Sequence, residues 1–94
     1  MGGRRIGLLM NLGPVSERQL AEIGIPDEEA LRALGAVEAW RRLKFRFPRE
    51  MNAVGLYALE GALRDCHWNA LPPEVKAALK AEADAYSAQL RKGA

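Results

Sequence analysis

The stretch from Asn52 to Asp65 constrains the fold more than any other part of the chain. At about 100° per residue, Val54, Leu56, Ala58, Leu59, Ala62 and Leu63 spread around most of a helix circumference, leaving Glu60 and Arg64 as a narrow polar strip. Those two side chains are four apart, in the order that favours pairing. A helix apolar on nearly every side must be surrounded by other helices, so this segment is expected at the centre of a bundle. Gly55 and Gly61 cost helix propensity and are read as points of close approach.

The flanking punctuation supplies the surrounding elements, and no segment alternates convincingly as a strand. Arg4 to Met10 is read as a short helix, ended by the turn Asn11-Leu12-Gly13-Pro14. Ser16 is a candidate N-cap for the next helix, with Gln19 at the capping-box position and Gly24 as its left-handed stop. Asp27 then caps a helix whose first turn holds Glu28 and Glu29 and whose inward side holds Leu31 and Leu34, up to Gly35. A third helix runs from Ala36 to Phe47, where Pro48 stops it. Its apolar side carries Val37, Trp40, Leu43, Lys44 and Phe47, whereas Glu38, Arg42, Phe45 and Arg46 fall opposite. After the bend at His67 to Pro72, with Trp68 as its buried anchor, Pro73 opens the last helix. That helix has a Val75, Leu79, Ala83, Tyr86, Leu90 stripe and directs Lys76, Lys80 and Asp84 to solvent. The fold class is therefore all-α, a compact bundle of about five helices around an apolar fourth. Residues 1–94 form a single domain, with loose ends expected at 1–5 and 91–94.

Composition excludes several function classes. The apolar run Ile6 to Met10 is too short for a membrane span or a secretion signal, and a cytoplasmic protein is the expectation. With a single cysteine, Cys66, there is no internal disulfide or CxxC motif, and with a single histidine, His67, no multi-histidine metal site. The two are neighbours, but adjacent residues on a helix point about 100° apart, which does not make a nucleophile and its base. No cofactor, small-molecule substrate or catalytic group is indicated, and a non-catalytic binding role is expected.

Two features are candidates for that role. The formal net charge is only +2, but Arg41, Arg42, Lys44, Arg46 and Arg49 lie between Trp40 and Arg49 with no acid among them. This run is either a phosphate-contacting face, with Phe45 stacking against a partner, or an ordinary solvated surface. The turn before Ser16 lacks the lysine of a phosphate-binding P-loop. It either presents the N–H groups of Gly13, Val15 and Ser16 to an anion or is a plain corner between helices.

A longer pattern adds to these. The string from Leu12 through Ile25 (LGPVSERQLAEIGI), the block Leu31 to Leu43, the block Leu56 to Leu63, and His67-Trp68-Asn69 with Leu71-Pro72 occur in the order found in the TfoX/Sxy C-terminal domain. Over residues 8 to 82 the chain resembles that family. The resemblance implies a helical domain related to helix-hairpin-helix modules, which often bind DNA through backbone amides at the hairpin and nearby basic groups. Here the hairpin would be Leu12 to Ser16 with Arg18 beside it. It also implies a link to regulation of natural competence, in which two-domain members assist a transcription activator. This chain is about one domain long, so a stand-alone domain is the expectation. The nucleic-acid candidates are thus Gly13, Val15, Ser16, Arg18, Arg41, Arg42, Arg46 and Arg49, with DNA as partner. Phe45 is the candidate for contact with a protein partner or a second copy.

Overall fold

The computed structural model describes residues 4–93. Five α-helices follow one another: α1 (Pro14–Glu22), α2 (Glu28–Leu34), α3 (Ala36–Arg46), α4 (Ala53–Arg64) and α5 (Pro73–Gly93). A 3-10 turn at Ile6–Leu8 precedes α1 and another at Trp68–Ala70 joins α4 to α5. Among the described residues there is no strand.

Local chemistry accounts for most of the boundaries. The Asp27 carboxylate accepts the Ala30 N–H at 2.9 Å, and the Asn52 side chain accepts the Gly55 N–H at 3.3 Å, so α2 and α4 begin on capped first turns. Gly24 and Gly35 take φ of +88° and +89° and let the chain turn sharply at the ends of α1 and α2. One expected cap is corrected: α1 starts at Pro14 with Gly13 in the N-cap position, and Ser16 lies inside its first turn. Proline needs no N–H at the first helical position and has its φ already fixed, so it starts this helix before Ser16 can cap it.

The core is built around α4, whose Leu56, Leu59 and Ala62 are buried against α3 and α5. Trp40, 1% exposed, anchors the α3–α4 contact, and its indole Nε1 donates to the Asn52 carbonyl at 2.9 Å. The Lys44 ammonium donates to the carbonyls of Pro48 and Met51 at 2.8 and 2.9 Å, closing the turn between the two helices while its stem lies along the core edge. Leu20 of α1, Leu31 of α2, and Leu79 and Ala83 of α5 complete the interior. Fully burying each leucine is worth roughly 1.5–3 kcal/mol against leaving it in water. The rest of the apolar circumference of α4 is covered less completely: Ala58 and Leu63 are half-buried, and Val54 remains 44% exposed.

Both glycines of α4 mark close contacts. A Cβ on Gly61 would lie 2.5 Å from Asn11 Nδ2 and 2.8 Å from the Cys66 carbonyl oxygen. Asn11, in the left-handed region at φ 71°, uses this space. Its Nδ2 donates to the carbonyls of Ala58 (3.3 Å) and Cys66 (2.9 Å), and its Oδ1 accepts the Trp68 N–H (3.1 Å). One side chain thus fastens the N-terminal turn to the far end of α4.

At the second bend His67 Nδ1 accepts the Asn69 N–H at 3.1 Å. Trp68 is half-buried rather than a fully buried anchor, and stacks on Tyr57 and His67. Lys76, expected in solvent, instead sits over the Tyr57 and Trp68 rings at 5.7 and 5.4 Å; a cation is attracted to aromatic faces that the bend leaves open.

The expected loose ends at positions 1–3 and 94 lie outside the described residues. Arg4 pairs with Glu28 and Arg5 with Glu17, each at 2.9 Å, while residues 91–93 continue α5.

Candidate functional site

The turn into α1 is the first candidate. Gly13 is extended, at φ −138°, and no side chain caps the helix it begins. The first helical hydrogen bond runs from the Glu17 N–H to the Gly13 carbonyl at 2.9 Å, so the N–H groups of Val15 and Ser16 precede the ladder. A Cβ placed on Gly13 would meet nothing within 4 Å, and Val15 is 55% exposed, so the turn is open from outside.

The charged groups around this turn are partly paired. Successive residues of α1 rotate by about 100°, which puts Val15, Arg18 and Glu22 on the outer face, opposite buried Leu20. Glu22 is engaged by Arg46, and Arg18 has no carboxylate partner among the described residues. Glu17, the acid of the first turn, is turned away: its carboxylate receives the Arg5 guanidinium and the Gly7 N–H, which hold it below its usual pKa.

The basic face of α3 is the second candidate, apart from the first. With the end of α1 and the outer side of α5 it makes an open groove of about 610 Å³. Ile23, Phe45 and Tyr86 supply its apolar lining, and Arg41, Arg42, Arg46 and Glu38 its charged groups. Phe45 is 71% exposed, as its place off the apolar stripe implied. Each arginine already faces a carboxylate. Arg41 reaches Glu82 at 3.3 Å, Arg42 reaches Glu38 at 3.3 Å, and Arg46 pairs with Glu22. Arg41 also stacks over Tyr86, 5.8 Å from the ring centroid, and Arg46 over Phe47 at 4.7 Å.

The sequence candidates therefore divide. Gly13, Val15, Ser16 and Arg18 come together at the start of α1, whereas Arg41, Arg42, Phe45 and Arg46 come together at its other end. Nine helical residues put the two ends of α1 roughly 13 Å apart. Arg49 is exposed in the turn after α3 and lines neither place. Sequence reading missed Asn11, whose partners are distant in the chain, as well as Ile23 and Tyr86, which complete the groove from other helices. Its only local signal was an Asn before Leu-Gly-Pro, a residue type that tolerates left-handed backbone.

Among the described residues no cluster of three or more His, Cys, Asp or Glu side chains is placed to hold a metal ion, and no helix is long and apolar enough to cross a membrane. Nothing in either surface arranges a nucleophile with a base.

Comparison with known proteins agrees with this fold. Two crystal structures of an uncharacterized protein from Listeria monocytogenes, in triclinic and tetragonal forms, superpose with TM-scores of 0.81. Both are 31% identical, cover 85% of this chain, and are themselves covered over 90% and 98% of their lengths. The DNA transformation protein TfoX1 of Aliivibrio fischeri is 28% identical over 76 residues, which are 81% of this chain and 36% of that protein. The chain thus spans about a third of that relative's length. The sequence profile of the TfoX C-terminal domain matches residues 3–83, and with that coverage the chain belongs to the TfoX C-terminal domain family.

Proposed function

We propose that this domain is a non-catalytic accessory module in the regulation of DNA transformation or transcription, and that it touches the nucleic-acid backbone through the turn into α1. The supporting observation is the uncapped start of α1: the Val15 and Ser16 N–H groups precede the helical ladder, Val15 is exposed, and Arg18 stands one turn behind them. Unpaired amides at a helix N-terminus attract anions, and an adjacent arginine adds a charge-assisted contact. The relative named for DNA transformation lends the cellular setting. Backbone contacts of this kind position a protein on a duplex without reading its bases, so no sequence preference is expected.

So few contacts make a weak complex, with a Kd on the order of 10–100 µM at physiological salt, in the range of nonspecific DNA binding, and tighter at low salt. Fluorescence anisotropy with a labelled 20-mer duplex at two salt concentrations tests this. Binding should weaken with salt, and Arg18→Ala should lower affinity several-fold and reduce the salt slope by about one. Absence of binding at low salt, or an Arg18→Ala protein that binds as the parent does, contradicts the proposal.

A further inference from the structure

We propose that the groove between α3 and α5 docks an acidic, amphipathic helix of a partner protein. Its chemistry differs from that of the α1 turn. Ile23, Phe45 and Tyr86 give it an apolar lining, and its charged groups are three guanidinium groups against the single carboxylate of Glu38. Phe45, Tyr86 and the three arginines are five of the eight residues that line it, and these are residue types enriched where proteins bind one another. Phe45 stands 71% exposed between Arg42 and Arg46, an arrangement that contributes nothing to the core of this domain.

Charge and shape select the occupant. An amphipathic helix lays apolar side chains spaced three and four apart into such a groove while its flanks meet the rim. Here the rim calls for carboxylates. The arginines' present partners, Glu22, Glu38 and Glu82, are between 44% and 49% exposed. Pairs that wet contribute little to stability, so they hold the guanidinium groups in place and are readily exchanged for a partner's acids. DNA fits this surface poorly, because the apolar side chains of Ile23, Phe45 and Tyr86 offer a phosphate backbone nothing.

The probe is a fluorescein-labelled synthetic peptide of fifteen residues, with Leu and Phe spaced three and four apart and Glu on both flanks. Two controls accompany it: the same residues scrambled, and the same pattern with Lys for Glu. Anisotropy should show the acidic amphipathic peptide binding at least ten-fold more tightly than either control. Phe45→Ala and the double variant Arg42→Glu/Arg46→Glu should each weaken it ten-fold or more, with circular dichroism unchanged because all three side chains are exposed. Amide shifts in the complex should centre on Ile23, Phe45 and Tyr86. Equal binding of the controls, indifference to the groove variants, or a groove occupied by a second copy in sedimentation would overturn the proposal. Arg18→Ala should leave peptide affinity unchanged, so loss of DNA binding alone bears only on the α1 turn.

Discussion

At the residue scale, Asn11 and Gly61 hold the hairpin turn in place. The Asn11 amide satisfies the Ala58 and Cys66 carbonyls and the Trp68 N–H, and Gly61 leaves the space in which it does so. Asn11→Ala removes all of these bonds and puts alanine in a left-handed conformation; it should cost about 2–4 kcal/mol, read by urea denaturation. Gly61→Ala should cost about 1–3 kcal/mol, because its Cβ meets the Cys66 backbone, which has no flexible end to give way. Gly55→Ala is the contrast. There the nearest neighbour is the Met51 sulfur at 3.3 Å, a movable thioether, and the gain in helix propensity of up to about 1 kcal/mol should leave the variant as stable as the parent or more so. The sequence marked both glycines as close approaches. It could not rank them, because the ranking depends on whether backbone or a side-chain tip stands opposite.

At the element scale, short-range rules gave the helix boundaries and long-range pairing gave what they missed. Asp27, Gly24, Gly35, Pro48 and Pro73 act within a few residues of themselves, and each could be read directly. Ser16 misled because a serine with Gln three residues on imitates a cap, while Pro14 had already opened the helix. The pairing of Arg4 with Glu28 spans 24 residues and had no local signature. It makes α2 acid-sensitive. The Glu28 carboxyl, 12% exposed, accepts from Arg4 and Arg32, which lower its pKa from 4.5 to about 2. A carboxyl depressed in the folded state stabilises that state above its unfolded pKa and loses the contribution as pH falls through the folded value. Stability should therefore decline as pH drops from about 5 towards 2, and Glu28→Gln should flatten that limb in thermal melts recorded across this range. An unchanged acid limb in the variant would show that Glu28 does not contribute to it.

At the scale of the whole molecule, the bundle keeps its two candidate surfaces apart. The Cα radius of gyration, 12.6 Å, matches the roughly 12.4 Å expected of a folded chain this long, so distance on the surface comes from helix placement rather than from an extended shape. Helix α1 joins the two surfaces, with the open turn at its start and Ile23 at its end. The basic run of α3 and its outlying Phe45 were legible from the helical period. The groove was not, because it needs Ile23, Phe45 and Tyr86 from three helices that only the tertiary packing brings together. On the proposed reading, nucleic acid meets the turn and not the arginines of α3. An amide NMR titration of the ¹⁵N-labelled domain with a 20-mer duplex at low salt tests it most directly. Binding at the turn should shift Gly13, Val15, Ser16 and Arg18, reversibly on adding salt, and leave Phe45 and Tyr86 unmoved; shifts centred on Arg41, Arg42 and Arg46, or none anywhere, would rule it out.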